Sequence, residues 1–269
     1  MRTVDTHAHI FAINDNVVEN ARYTPASDAS PQAYLAHLDA HGFDCGVLVQ
    51  PSFLGFDNRQ MLAAIAASPE RLKGIAVIPR DTEEATLQTL TSQGIVGARL
   101  NLFGQPLPDL SEHAWQRFLG RLGELNWQLE LHCPPAYLRA LLPGLASYRG
   151  PVVIDHFGRV DPAKGVDDPD YQAALELLEP SRHWIKISGY YRLGPGAQGS
   201  LHAKQALALL LARGLRDRLV WGSDWPHTQH DDQVNYEAAV RFLHELVPEE
   251  ALRLRILGEN AQALYGFAP

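Results

Sequence analysis

The stretch "VDTHAHIF" (residues 4–11) places His7 and His9 two positions apart, with Asp5 two positions before them. In a β-strand alternate side chains point to the same face. The spacing therefore predicts a first strand whose end carries two imidazoles side by side, with Asp5 one step behind. A polar edge strand would show the same alternation. The rest of the chain decides between a rim of polar residues and a site.

Working outward, seven further runs share the apolar character of the first: "CGVLVQP", "KGIAVIP", "IVGARLNL", "WQLELHC", "PVVIDHF", "HWIKIS" and "RLVWGSD". They are short and rich in Val, Ile and Leu, as parallel strands buried on both faces are. Helical patterns fill the gaps. "SPQAYLAHLDAHG" has Ser30 as N-cap, Pro31 in the first turn and Gly42 as its stop. "SEHAWQRFLGRLGELN" carries Trp115, Phe118, Leu119, Leu122 and Leu125 at helical spacing. "RLGPGAQGS" (residues 192–200) reads as a loop. Eight strands, each followed by a helix, in 269 residues predict one (β/α)8 barrel domain over residues 1–269. A doubly wound open sheet competes, but no GxGxxG follows the first strand.

Composition narrows the function. The net charge is -8 and no Lys/Arg-rich run occurs, which argues against nucleic acid as a partner. No apolar run approaches the roughly 20 residues of a membrane span, and the N-terminus lacks the apolar core of a signal peptide. Two cysteines, Cys45 and Cys133, suit free thiols in a reducing compartment. The expectation is a cytoplasmic protein with a small anionic substrate and no membrane partner, and a homodimer is left open.

Chemistry in such a barrel sits at the C-terminal ends of the strands. The first run ends on His7 and His9, and the second on Gln50 with Ser52 beyond it. The fourth carries Arg99 and Asn101, and the fifth ends on His132. The sixth ends "DHFGR", with Asp155, His156 and Arg159. The seventh leads to Ser188, Tyr190 and Arg192, and the eighth ends "GSDWPH", with Asp224 and His227. Each alone has a bland explanation, but chance would scatter polar residues over both ends. His7, His9, His156 and Asp224 emerge as the catalytic candidates. The faces of Lys186 and Ser188 are not settled by the sequence.

"VDTHAHIF", "VIDHFGR" and "LVWGSDWPHT" resemble the amidohydrolase superfamily, and within it the lactonases that open 2-pyrone-4,6-dicarboxylate. "VLVQPSFLGFDN", "GARLNLFG" and "WIKISGYYRL" extend the resemblance over nearly the whole chain. It implies that Asp224 is the essential eighth-strand aspartate and that His7, His9 and His156 form the histidine cluster. It implies further that Arg99 and Arg192 hold substrate carboxylates, with Tyr23 and Ser52 lining the pocket. Two departures stand out. Gln105 or a neighbour replaces an arginine expected shortly after the fourth strand, and His132 stands where a non-histidine residue is expected, either restoring a metal ligand as in the zinc-bearing members or binding substrate.

Lactone hydrolysis needs an activated water, a polarised carbonyl and a stabilised leaving group. Asp224 suits the base, and the histidines can donate to the carbonyl oxygen directly or hold a divalent ion that does so. Should a zinc or other divalent metal bind, His7, His9 and Asp224 form its ligand set. The fourth and fifth runs offer no bridging lysine, which disfavours a two-metal site. The resemblance implies an enzyme that needs no cofactor. The alternatives are a zinc-dependent decarboxylase of aromatic or muconate-type acids, a sugar-acid lactonase, and a binding barrel without catalysis.

Overall fold

In the computed structural model, residues 1–19 and 21–268 are described. The strands are β1 (Val4–Ala8), β2 (Cys45–Val49), β3 (Leu72–Ala76), β4 (Ile95–Asn101), β5 (Gln128–His132), β6 (Val152–Ile154), β7 (His183–Lys186) and β8 (Leu219–Val220). They pair in parallel in sequence order. The helices that follow them are α1 (Pro31–His41), α2 (Arg59–Ala67), α3 (Glu84–Ser92), α4 (His113–Glu124), α5 (Pro135–Gly144), α6 (Pro169–Glu176), α7 (Ala197–Ala212) and α8 (Tyr236–Leu246). Two short helices, α9 (Glu250–Leu254) and α10 (Asn260–Tyr265), end the chain. The expected (β/α)8 barrel is the observed one.

The ring closes between β1 and the segment after β8. Thr6 N donates to Trp221 O (3.0 Å), Asp224 N to His7 O (2.8 Å) and His9 N to Trp225 O (2.7 Å). Closure thus sets the eighth-strand aspartate directly beside the two histidines of the first. Asp5 reinforces the seam by accepting from Ser223 N (2.8 Å), Ser223 Oγ (2.6 Å) and Tyr236 Oη (3.0 Å).

Helix signals act where the sequence places them. Ser30 Oγ accepts from Ala33 N (3.2 Å), and Gly42 ends α1 at φ 72°, a left-handed conformation that glycine adopts without a Cβ penalty. One expectation is corrected: α7 begins at Ala197, so the second half of "RLGPGAQGS" is helix rather than loop. The turns at Gly194 and Gly196 precede it. An apolar layer joins the outer faces of the strands to the helices. Inside the barrel Val4, Val47, Val153, Trp184 and Val220 pack on Tyr265 and Phe267, so α10 and the residues after it form the floor. No helix among the described residues is long and apolar enough to cross a membrane.

Candidate active site

The β1 expectation holds for His7 and His9 and fails for Asp5. The two imidazoles lie 5.0 Å apart, ring centre to ring centre, inside the barrel mouth. The pairing of β1 with β2 changes register between Asp5 and Ala8, and such an irregularity breaks the two-residue alternation. Asp5 consequently faces α8 and the closing turn, not the site. His9 Nδ1 donates to the Val49 carbonyl (2.7 Å). A carbonyl can only accept, so the proton is on Nδ1 and the Nε2 lone pair faces inward.

Asp224 is fully buried, in a left-handed conformation at φ 61°. Its Oδ2 accepts from Tyr191 Oη and from Arg192 Nε, both at 2.6 Å. Its Oδ1 has no hydrogen-bond partner, and it lies 3.6 Å from His9 Nε2 and 3.9 Å from His7 Nε2. Burial alone would raise the carboxyl pKa. The Arg192 guanidinium, bonded to its Oδ2, outweighs burial and holds Asp224 well below the usual range. It is a carboxylate at every working pH, with one oxygen saturated and one free.

Beneath this pair lies a layer of buried charge. Lys186 Nζ donates to Glu130 and, at 3.2 Å, approaches His7 Nδ1. Arg99 donates to Asp155 Oδ2 through Nε (3.0 Å) and Nη2 (2.6 Å), and its Nε lies 3.3 Å from Glu130 Oε1. Lys186 and Ser188, whose faces the sequence left open, both point inward: Ser188 Oγ is 2.9 Å from His156 Nδ1. Burial and Asp155 push Glu130 up to about 7, against the pull of Lys186 and Arg99. Burial, followed by Lys186, lowers His7 well below its ordinary value and keeps it neutral.

Above the aspartate opens a cavity of about 400 Å³. His9, Tyr23, Ser52, Arg99, His132, His156, Arg192 and Asp224 line it, so the expected site residues converge, His7 standing just behind the wall. Asn101 and Arg159 also reach it. His132 stacks on Phe103 with ring centres 5.5 Å apart, and its Nδ1 pairs with Asn101 Oδ1 (3.1 Å). Three other strand-end residues do different work. Gln50 ties its own loop through Gly55 O and Asp57 O. Tyr190 stacks on Phe242 outside the cavity. His227 stands behind Tyr191, with Nδ1 3.1 Å from the hydroxyl. Gln105 is exposed and outside the lining.

Sequence reasoning missed Tyr191, Glu130 and Arg22. The cavity has four guanidiniums, from Arg22, Arg99, Arg159 and Arg192. Arg99 and Arg192 are neutralised by carboxylates. Among the described residues Arg22 and Arg159 have no carboxylate within 4 Å. Burial and then Arg192 push Arg159 down to about 10, as expected for a cation awaiting an anion.

The same burial predicts how stability follows pH. His156, His183 and His227 are pushed down by burial to about 3, 4 and 4, and His7 and His132 are also lowered. Between pH 6.5 and 4 the unfolded chain therefore binds protons that these histidines refuse in the folded state. Stability falls as pH falls through that window. Glu130 and Asp5, both raised, act in the opposite sense, but five histidines outnumber two carboxyls. The melting temperature should drop by about 5 °C or more between pH 7 and pH 4.5. A flat profile by scanning calorimetry would contradict the neutral, buried assignment.

Comparison with known proteins agrees with this geometry. The family model described as "Amidohydrolase" matches residues 4–267. The 4-sulfomuconolactone hydrolase of Hydrogenophaga intermedia is 32% identical over 97% of this chain and 88% of its own. The 2-pyrone-4,6-dicarboxylate hydrolase of Comamonas testosteroni is 29% identical over 97% of this chain and 89% of its own. A solved structure from Acinetobacter baumannii, described as a probable 2-pyrone-4,6-dicarboxylic acid hydrolase with citric acid bound, is 51% identical. It superposes with a TM-score of 0.98 over 99% of this chain and 100% of that one. With its two first-strand histidines, its sixth-strand histidine and its eighth-strand aspartate gathered at one barrel mouth, the chain belongs to the amidohydrolase family.

Proposed function

We propose that the protein hydrolyses a small carboxylated lactone of the 2-pyrone-4,6-dicarboxylate type, with Asp224 as the base for water. One observation carries the reading: a buried acceptor without a partner, Asp224 Oδ1, faces the His9 Nε2 lone pair 3.6 Å away, with no donor between them. Such a gap calls for a species that gives two hydrogens or a positive charge. A water does this by donating to both. It is also anchored by His7 Nε2–H when His7 Nδ1 accepts from the Lys186 ammonium 3.2 Å away. Its remaining lone pair is then the nucleophile.

The proton passes to Asp224 Oδ1 as the water oxygen attacks the lactone carbonyl. His156 supports the developing charge. With the Ser188 hydroxyl, 2.9 Å away, donating to His156 Nδ1, the Nε2–H is left to donate into the cavity. The ring C–O bond then breaks, and an enol or alkoxide leaving group takes a proton back from Asp224. Arg99, Arg159 and Arg192 orient the substrate carboxylate, and Tyr23, Ser52 and His132 shape the pocket.

A divalent metal fits the same gap, because His7, His9 and Asp224 each present a nitrogen or oxygen to it. It would polarise the carbonyl and acidify water there. That arrangement requires His7 Nδ1 to donate instead, to Asp155 Oδ1 at 3.4 Å. The charge balance favours the water. Five cations, Arg22, Arg99, Arg159, Arg192 and Lys186, surround three carboxylates, Glu130, Asp155 and Asp224. An excess of positive charge repels a dication and attracts an anionic substrate. Two buried free thiols support a cytoplasmic setting.

The test is a spectrophotometric assay on 2-pyrone-4,6-dicarboxylate, with and without chelator, beside elemental analysis of the purified protein. Ring opening that survives chelation supports the reading. Absence of hydrolysis, or chelator-sensitive release of CO2 from an aromatic acid, would replace it with the decarboxylase alternative. Arg159→Met should raise the Michaelis constant for a carboxylated lactone about 10- to 100-fold, the worth of a charge-assisted hydrogen bond. Its turnover should change little, because Arg159 does not touch Asp224. An equal penalty on a neutral lactone would make Arg159 structural.

A further inference from the structure

We infer that Arg22 is a specificity-determining residue that reads a second anionic group, at the outer end of the substrate and away from Asp224. This rests on the reading of the site as one for carboxylated lactones. The loop between β1 and α1 is pinned at its base by paired hydrogen bonds between Phe11 and Ala29 (3.0 and 2.9 Å). It is pinned at the cavity rim by Tyr23 Oη to Thr228 Oγ1 (3.0 Å). Those two anchors bring Arg22 over the mouth. Its Nη2 donates to Ser52 Oγ (3.4 Å), and its guanidinium carbon lies 5.7 Å from the Phe103 ring centre.

A surface arginine would ordinarily find a neighbouring acid. Two of the three acids of this loop are committed elsewhere, and the third, Glu19, is exposed and forms no ion pair with Arg22. Asp15 accepts from Ala12 N (2.7 Å) and Gln60 Nε2 (2.9 Å), and Asp28 from Ile13 N (2.6 Å). They shape the loop and leave its guanidinium without a carboxylate within 4 Å among the described residues. Burial, and then Arg99 and Arg192, lower the Arg22 pKa, so an incoming anion relieves a repulsion as well as making a contact. Phe103 carries Arg159 on the same ring, 4.4 Å from its centre. The ring thus holds an inner, half-buried cation and an outer, exposed one on one platform at the cavity mouth. The loop after β4 supplies no competing cation, since Gln105 points out of the lining.

The test needs no turnover. Isothermal calorimetry would measure isophthalate, a planar 1,3-dicarboxylate, and benzoate, its single-anion counterpart, on the wild-type protein, Arg22→Met and Arg22→Lys. Arg22→Met should weaken isophthalate tenfold or more and benzoate less than threefold, and Arg22→Lys should recover part of the loss. Equal loss of both ligands, no loss of isophthalate, or a wild-type preference for benzoate would each overturn the assignment. The two readings separate cleanly. If no lactone is hydrolysed but the isophthalate preference depends on Arg22, the reaction is wrong and the subsite stands. If lactones are hydrolysed and Arg22→Met binds isophthalate normally, the reverse holds.

Discussion

Asp224→Asn should lower the turnover number on a carboxylated lactone by about a thousandfold or more while the chain stays folded. The amide oxygen can still accept from Tyr191 and Arg192, which now bond Oδ2 at 2.6 Å. The amide nitrogen then occupies the position of Oδ1, the oxygen with no partner. A donor there faces the water's own hydrogens and cannot take a proton. Loss of a positioned base typically costs 10² to 10⁴ in rate, about 3–5 kcal/mol of barrier. Circular dichroism and a melting curve would verify the fold, and steady-state kinetics the loss. Retention of a tenth of wild-type turnover would remove Asp224 from the role of base.

Lys186→Met should destabilise the protein by about 3–5 kcal/mol, the usual cost of stripping one partner from a buried ion pair. Lys186 is fully buried, donates to Glu130 and lies 3.9 Å from Asp155. Without it, two carboxylates share the barrel interior with only Arg99 to neutralise them. The melting temperature should fall by about 10 °C. Adding Glu130→Gln to the variant should restore part of the loss, because the second change removes the orphaned charge. A drop under 1 kcal/mol in chemical denaturation, or no recovery in the double variant, would mean that Lys186 only fills space.

The barrel was legible because its strands are short, Val- and Ile-rich and buried on both sides, a pattern that only closed or doubly covered parallel sheets impose. The site was legible because polar side chains recur where those runs end. What escaped has physical reasons. Asp5 could not be assigned to the helix side because a register shift leaves no mark in composition. Tyr191 and Tyr190 are neighbours in a 3-10 turn, where no strand alternation applies, and only geometry chose Tyr191. Arg22 sits in a loop without any period. Glu130 did leave a signal: a carboxylate inside "WQLELHC" had to find a buried cation, and Lys186 in "HWIKIS" was available.

The hydrogen bonds that join His7 and His9 to the segment after β8 also govern how the chain meets the ribosome. His7 and Asp224 are roughly 217 positions apart, so at about 5–20 residues per second the first strand waits on the order of 10–40 s for its last neighbour. During that time it is an open sheet edge, the kind of surface on which nascent chains stick to one another. Its sequence carries a built-in guard, because Asp5, His7 and His9 interrupt any continuous apolar edge with groups that resist burial in a wrong partner. His7 and His9, which serve the reaction centre in the finished barrel, would then also break up the apolar edge of the unfinished one. Replacing them with apolar side chains would be felt first as lost soluble yield.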